Sequence, residues 1–261
     1  MNSSTLPAVG ELDRAAAAFA TEGYLIVRGL VSPAVCEAVV AEVRSALCPV
    51  LAPAEFEADV GYPGAPESRT APGGDTPRRL LSAYSRFPAL RPVITGSAVG
   101  AYLRALIGTE QVLMSQCHHN CVMTKAPGYS SVTHWHQDVR YWSFERPELV
   151  SLWIALGDET ADNGALALIP GTHRQVFAAS RLDEAKFLRP ELPENRALIQ
   201  EAQIVELSAG DVVFFHCRTF HAAGRNLTDR MKLSAVFTYH AADNHPLPGT
   251  RSAQYASIPV E

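Results

Sequence analysis

The 261-residue sequence lacks the features that mark several large classes of protein. It contains no apolar run of about 18 residues, the length that a membrane-spanning helix requires. Its first residues carry neither a basic cluster nor a continuous apolar stretch, so we expect no secretory leader. Cations are not in surplus, with 22 Lys and Arg against 27 Asp and Glu. This balance argues against non-specific binding to nucleic acid, which needs excess positive charge.

Disulfide-forming cysteine patterns are also missing. The five cysteines are an odd number and lie scattered at positions 36, 48, 117, 121 and 217. Reduced thiols explain this distribution better than a disulfide framework does. We therefore expect a cytoplasmic protein.

Helices are predicted first and strands afterwards. Residues 11–22, 33–47 and 99–107 carry helical patterns, and residues 24–27 form a short β-prone run. No alternation of strands and helices follows, which disfavours a doubly wound parallel sheet, and many short strands favour a sandwich or barrel. We predict one domain over residues 1–261, with a helical part at about 1–110 and a β core at about 111–242. The predicted strands cover residues 112–125, 132–138, 150–156, 165–169, 204–207, 212–216 and 232–240.

Proline and glycine interrupt every periodic pattern between residues 49 and 77. A loop of this length in a compact domain is usually functional or disordered. Two interpretations are open for residues 49–78, a surface excursion and a lid over a pocket.

The segment from Thr133 to Asp138, with the sequence THWHQD, holds the densest cluster of possible ligands. Side chains two residues apart in a strand share a face, so His136 and Asp138 should point the same way. With one more histidine they would form the 2-His-1-carboxylate triad that non-haem Fe(II) oxygenases use. The short motif alone also fits a strand end that hydrogen-bonds to loops.

Other segments give this motif a context. They are GYLIVRG at 23–29, KAPG at 125–128, NGAL at 163–166, IPGTH at 169–173, and a closing pattern with Gly210, Asp211, His216, His221 and Arg230. Together they make the sequence resemble the phytanoyl-CoA dioxygenase family of Fe(II)/2-oxoglutarate-dependent oxygenases, over about residues 20–240. The resemblance implies a mainly β fold with flanking helices, whose core is a double-stranded β-helix, or cupin-like jelly roll, with the helices at its N-terminal side.

The resemblance also implies roles for individual residues. His136, Asp138 and His221 would be the iron ligands and catalytic residues. Arg230 would anchor the distal carboxylate of 2-oxoglutarate, for which a planar guanidinium is well suited. We expect Arg230 and His221 on neighbouring strands across a hairpin. The family often has a hydroxyl residue where this chain has Ala223, and Thr228 or another strand could supply it.

Rival candidates stay open for two of these roles. His216 and His240 are alternatives to His221, and Arg225 and Lys232 are alternatives to Arg230. Trp153, Thr133 and Met123 are candidate co-substrate contacts, although Trp153 also fits an ordinary core position. The tentative substrate residues are His119, Cys121, His134, Arg140 and Trp142. Alternation along the predicted strand at 112–125 puts Cys117, His119, Cys121, Met123 and Lys125 on one face.

The resemblance implies an oxidoreductase that uses Fe(II), 2-oxoglutarate and dioxygen to hydroxylate or desaturate an unactivated C–H bond. Its substrate would be a small metabolite or natural-product intermediate, and the co-products would be succinate and CO₂. We expect neither a nucleic acid nor a membrane as a partner. Related halogenases replace the carboxylate that Asp138 provides here, so halogenation is disfavoured. Two alternatives are a metal-dependent jelly-roll isomerase or hydrolase and a non-catalytic small-molecule binder.

Overall fold

The computed structural model describes residues 6–61 and 65–261. Its helices are α1 (Val9–Glu22), α2 (Pro33–Leu47), α3 (Ala83–Arg86), α4 (Arg91–Ile94), α5 (Ser97–Ile107) and α6 (Pro193–Gln200). Its strands are β1 (Tyr24–Val27), β2 (Ala54–Phe56), β3 (Pro77–Leu81), β4 (Val112–Lys125), β5 (Thr133–His136), β6 (Leu149–Ala155), β7 (Leu166–Leu168), β8 (Gln203–Ile204), β9 (Val212–His216), β10 (His221–Ala223), β11 (Lys232–Ala241) and β12 (Ile258–Pro259). Within these described ranges, no helix has the length and apolarity that crossing a membrane requires.

The strands form two antiparallel sheets. The major sheet has the order β1-β9-β6-β11-β4-β3-β2, and β12 also pairs with β4. The minor sheet has the order β5-β10-β7-β8. Trp153 and Phe215 of the major sheet pack with Leu166 and Leu168 of the minor sheet in one apolar cluster. Two facing antiparallel sheets are the arrangement of a jelly roll, so the predicted fold class is confirmed.

Helices α1, α2 and α5 cover the other face of the major sheet. Their buried residues Phe19, Val39 and Leu103 belong to the same apolar cluster as Phe214 of β9 and Phe237 of β11. The predicted boundary near residue 110 falls between α5 and β4. A single domain over residues 1–261 stays a prediction, which this shared core supports.

Local sequence signals at the first helices act as expected. Gly23 ends α1 in the left-handed conformation, with φ of 81°. A Cβ at this position would lie 2.3 Å from Nδ1 of His173, so a larger residue would displace its neighbours. Ser32 caps α2 by accepting a hydrogen bond from the backbone N–H of Val35.

The proline- and glycine-rich segment contributes strands to the major sheet. β2 pairs with β3, and β3 pairs with β4. Residues 62–64 of this segment lie outside the described residues. Arg78 and Arg79 of β3 line the cavity described below, so the end of this segment forms part of its wall. The lid interpretation stays a prediction.

The chain between β10 and β11 crosses from one sheet to the other. β10 pairs with β5 and β7, whereas β11 pairs with β4 and β6. The expectation that His221 and Arg230 lie on neighbouring strands of one hairpin is therefore wrong. Turn residues at 224–229 suggested a hairpin, but a crossing between sheets uses the same residue types.

Candidate active site

Two histidines face each other in the minor sheet. His136 ends β5 and His221 begins β10, and the two residues are direct partners in the antiparallel register. Asp138 begins a 3-10 helix after β5 rather than continuing the strand, yet its carboxylate still turns towards both imidazoles. One ligand atom from each of the three side chains lies within 4.8 Å of the other two. The structure thus brings the three predicted iron ligands together.

These three side chains present acceptor atoms to one another. Nδ1 of His136 donates to the carbonyl oxygen of His134 at 2.8 Å, and Nδ1 of His221 donates to that of Thr219 at 3.1 Å. Because a carbonyl can only accept, the neutral form of each ring carries its lone pair on Nε2. The two Nε2 atoms lie 3.5 and 3.4 Å from Oδ1 of Asp138. That buried oxygen has no hydrogen-bond partner among the described residues.

The pKa shifts favour the metal-binding form of two ligands, Asp138 and His136, and the protonated form of His221. Burial opposes the charge on Asp138, but the imidazoles of His119, His221 and His136 outweigh it, and the pKa of Asp138 lies well below its usual range. Burial lowers the pKa of His136. The Asp138 carboxylate overcomes the effect of burial on His221 and raises its pKa. Either a proton or a divalent cation can bind to the acceptor atoms of this cluster. Binding of the cation releases the proton from the imidazole.

The triad opens onto a cavity between the two sheets. Of the other predicted site residues, His119, Met123, Thr133 and Trp153 line this cavity. Further side chains complete the wall, among them Arg78, Arg79, Lys125, Tyr141, Phe215 and Lys232. The cavity therefore has the triad, aromatic surfaces and several cationic groups on its walls.

Arg230 lies outside the cavity, contrary to the expectation from the sequence. Its side chain is exposed in the crossing between β10 and β11, and its carbonyl oxygen accepts a hydrogen bond from Asn226. Lys232, two residues further on, is the first residue of β11 and is 5% exposed. Of the three cations that the sequence offers for the anchor, Arg225, Arg230 and Lys232, only Lys232 lines the cavity.

Lys232 belongs to a buried polar network. Its Nζ donates to Oε2 of Glu159 at 3.0 Å and to Oγ of Ser234 at 3.3 Å. Oε1 of Glu159 accepts from Ser234 at 2.6 Å and from Nε1 of Trp153 at 2.9 Å. Glu159 is fully buried, so its charge compensates that of Lys232. Glu159 was not predicted, because nothing near it in the sequence marks a partner 73 residues away.

A second lysine lies directly opposite Lys232. Lys125 of β4 pairs with Lys232 in the register of β4 and β11. Nζ of Lys125 donates to the carbonyl oxygens of Ser131 at 3.0 Å and Gly224 at 2.6 Å. Burial is the main cause that lowers the pKa of Lys125 to about 7; the charged groups around it are Lys232 and Arg78, which lower it further, and Glu57 and Glu159, which raise it.

Four other predicted substrate residues do not line the cavity. Cys121 packs in the apolar cluster between the sheets. The ring of His134 packs against the ring of Phe187. The guanidinium of Arg140 also lies over the ring of Phe187, at 4.3 Å from its centroid. Trp142 is buried in a separate apolar cluster with Leu149 and Cys217. The placement of Cys121, His134, Arg140 and Trp142 beside a substrate is therefore not supported by their positions.

The rival ligands and the replacement hydroxyl also have other contacts. His216 accepts a hydrogen bond from the backbone of Arg218, and His240 contacts Ser257 at 2.8 Å. Neither belongs to the ligand cluster. The hydroxyl of Thr228 donates to Asn226 at 2.7 Å in the crossing segment. The hydroxyl that accepts a hydrogen bond from Lys232 belongs to Ser234 instead.

Comparison with known proteins gives consistent matches. Residues 19–234 match the family described as Phytanoyl-CoA dioxygenase (PhyH). The ectoine dioxygenase of Bordetella bronchiseptica is 24% identical over 240 residues, which cover 85% of this chain and 73% of that protein. EctD from S. alaskensis with 2-oxoglutarate and 5-hydroxyectoine superposes with a TM-score of 0.75 at 20% identity, covering 100% of this chain and 89% of the other. The epimerase SnoN with Fe3+, alpha ketoglutarate and nogalamycin RO gives 0.73 at 23% identity, covering 97% and 96%.

Replacing Asp138 tests whether the cluster is a metal site. In Asp138→Asn the charge is removed at nearly constant size, and we expect the affinity for Fe(II) to fall by more than about 100-fold, beyond the loss typical for residues that only orient ligands. Anaerobic titration with Fe(II) measures this. The matched control Asp162→Asn changes an exposed aspartate and should bind as the wild type does. Equal affinity in the two variants would contradict the assignment.

Proposed function

The chain belongs to the phytanoyl-CoA dioxygenase family, and from that premise we propose that it hydroxylates or desaturates an unactivated C–H bond of a small metabolite or natural-product intermediate. It is an Fe(II)/2-oxoglutarate-dependent dioxygenase with dioxygen as the second co-substrate. In the proposed reaction 2-oxoglutarate is converted to succinate and CO₂. The observation that carries the proposal is the buried Oδ1 of Asp138, which faces two imidazole nitrogens and has no hydrogen-bond partner among the described residues.

The donor set fits a ferrous ion. Two neutral imidazoles and one carboxylate are the ligands of mononuclear non-haem iron sites, and they leave three coordination positions for other ligands. Bound iron supplies the redox chemistry that activates dioxygen at the expense of 2-oxoglutarate. His136, Asp138 and His221 hold the ion, and the backbone carbonyls that accept from the two Nδ1 atoms fix the orientation of the rings.

Lys232 is the proposed anchor for the distal carboxylate of 2-oxoglutarate. An ammonium group has three N–H donors, and Glu159 and Ser234 accept from two of those on Lys232. The third remains for a ligand in the cavity. Lys125, placed opposite, likewise gives two donors to carbonyl oxygens. The two lysines thus form a cationic binding position, and Trp153 and Phe215 line the same cavity.

Several properties of the molecule support the remaining parts of the proposal. Ectoine dioxygenases, by their name, act on a small metabolite, and we extend that substrate class to this chain. The carboxylate of Asp138 occupies the position that halogenases leave open, which favours hydroxylation or desaturation. All five cysteines are free and four of them are buried, as expected for the proposed cytoplasmic location.

A turnover screen tests the reaction. Purified protein with Fe(II), 2-oxoglutarate and dioxygen should release succinate faster when the right member of a metabolite panel is added, and the product should gain one oxygen atom or lose two hydrogens. Asp138→Ala should abolish this release because one iron ligand is missing. A metal-dependent isomerase or hydrolase would instead convert a substrate without consuming 2-oxoglutarate, and that result would contradict the proposal.

Two matched variants test the anchor. A hydrogen bond to a charged group contributes about 1.5–3 kcal/mol, which corresponds to about 10–150-fold in affinity. We therefore expect Lys232→Met to raise the KM for 2-oxoglutarate by about 10–150-fold. Arg230→Met removes an exposed cation only two residues away and should leave the KM unchanged. The reverse outcome would restore Arg230 as the anchor.

Lys125 should make the binding of 2-oxoglutarate depend on pH. Its pKa of about 7 means that the ammonium form, which attracts a carboxylate, is lost as the pH rises through 7. The Kd for 2-oxoglutarate should therefore increase above this pH, by at most about tenfold per pH unit for one proton. Calorimetric titration of the Fe(II)-loaded protein without oxygen measures the dependence. Lys125→Met should flatten it, and an equal slope in that variant would contradict this role.

A further inference from the structure

Strand β4 contains an insertion beside the proposed iron site. Asn120 pairs with Phe237 and Ser115 pairs with Thr238, so four residues of β4 have no counterpart in β11. His118, within this bulge, has a positive φ of 62°, which is uncommon for a residue other than glycine. Bulges of this kind redirect side chains and are frequent next to active sites.

The C-terminal part of the chain holds the bulge in place. The thiol of Cys117 donates to the carbonyl oxygen of Arg251 at 3.0 Å. The side-chain amide of Gln116 donates to the carbonyl oxygen of Ala256 at 2.7 Å. Because its partners are backbone atoms from residues about 130–140 positions later, the bulge has a fixed shape that strand pairing alone would not give. Regular alternation along β4, as expected from the sequence, is lost at this point.

His119 is the side chain that the bulge aims at the site. It is 5% exposed and lines the cavity. Its Nδ1 lies 3.6 Å from Oδ2 of Asp138 and 3.4 Å from Oγ of Ser151. Ser151 Oγ in turn donates to the same Oδ2 at 3.5 Å and lies 3.2 Å from the hydroxyl of Thr238. The ring of His119 meets Trp142 edge-on at 5.1 Å.

The two oxygens of Asp138 therefore have different surroundings. Oδ1 faces the Nε2 atoms of His136 and His221, whereas Oδ2 faces His119 and Ser151 on the opposite side. A carboxylate can bind a metal ion through one oxygen or through both. Binding through both would occupy one of the three positions that a chelating co-substrate and dioxygen would need.

We propose that His119 is a positioning residue that donates from Nδ1–H to Oδ2 of Asp138 and so leaves Oδ1 alone to bind the iron. This role rests on the proposed function and adds a residue to it. The Nδ1–Oδ2 distance is longer than in a formed hydrogen bond, and hydrogen bonds of catalytic groups commonly shorten when the site binds its ligands. The bulge thus places His119, from the major sheet, beside the carboxylate of Asp138, which directly follows β5 of the minor sheet.

Amide substitutions separate this role from simple packing. In His119→Asn the amide nitrogen can replace Nδ1, whereas in His119→Gln it extends to the position of Nε2, and His119→Leu has no donor. We expect Asn to keep the Fe(II) affinity within about threefold, and Gln and Leu to weaken it by the 10–100-fold that is roughly typical when a group orienting a metal ligand is lost. The visible charge-transfer band of the anaerobic Fe(II)–2-oxoglutarate complex should stay at its wild-type position only in His119→Asn.

Two outcomes would overturn the proposal. If all three variants keep wild-type affinity and band position, His119 does not hold the carboxylate. If Asn, whose side chain is the smallest of the three, weakens binding as much as Gln and Leu, the ring acts by filling space. Should the Leu variant not fold, the comparison of Asn with Gln decides alone, and His245→Asn serves as the control at an exposed histidine. Failure of the wild type to convert 2-oxoglutarate would refute the proposed function instead, because the Fe(II) affinities would still test His119.

Discussion

The structure depends on one electrostatic constraint, the convergence of three acceptor atoms at a buried point. Two imidazole lone pairs face one carboxylate oxygen at 3.4–3.5 Å, and the oxygen has no hydrogen-bond partner among the described residues. A buried carboxylate oxygen without a donor is costly, so a proton or a cation at the centre of the cluster stabilises it. The antiparallel pairing of β5 with β10 creates the cluster, because it places His136 directly opposite His221. The two backbone carbonyls that bind Nδ1 then prevent either ring from turning away.

The remaining charged groups are distributed unevenly over the cavity wall. At one position the triad offers a site for a divalent cation, and elsewhere on the wall β4 and β11 present Lys125 and Lys232 side by side. Two like charges opposite each other destabilise a sheet. Glu159 offsets this by pairing with Lys232, and Lys125 has a lowered pKa that reduces its own charge. This distribution of charge is the one that the proposed dicarboxylate co-substrate would need, with its chelating end at the triad and its distal carboxylate at the lysines.

Local sequence signals were sufficient for what depends on neighbouring residues. The strand pattern, the left-handed Gly23 and the cap at Ser32 follow from short stretches of chain, and family resemblance identified the ligand triad. Sequence patterns did not predict the positions of side chains that depend on contacts between distant segments of the chain. The crossing between the sheets moves Arg230 out of the cavity and brings in Lys232, although both lie near the same turn. The bulge that aims His119 depends on hydrogen bonds to residues 251 and 256, which no pattern in β4 reveals.

The most direct measurement is an anaerobic crystal structure of the protein with Fe(II) and 2-oxoglutarate. We expect one ion bound to Nε2 of His136, Nε2 of His221 and Oδ1 of Asp138, and a chelating co-substrate whose distal carboxylate contacts Lys232. An ion that binds elsewhere, or a co-substrate whose distal carboxylate lies away from both cavity lysines, would contradict it.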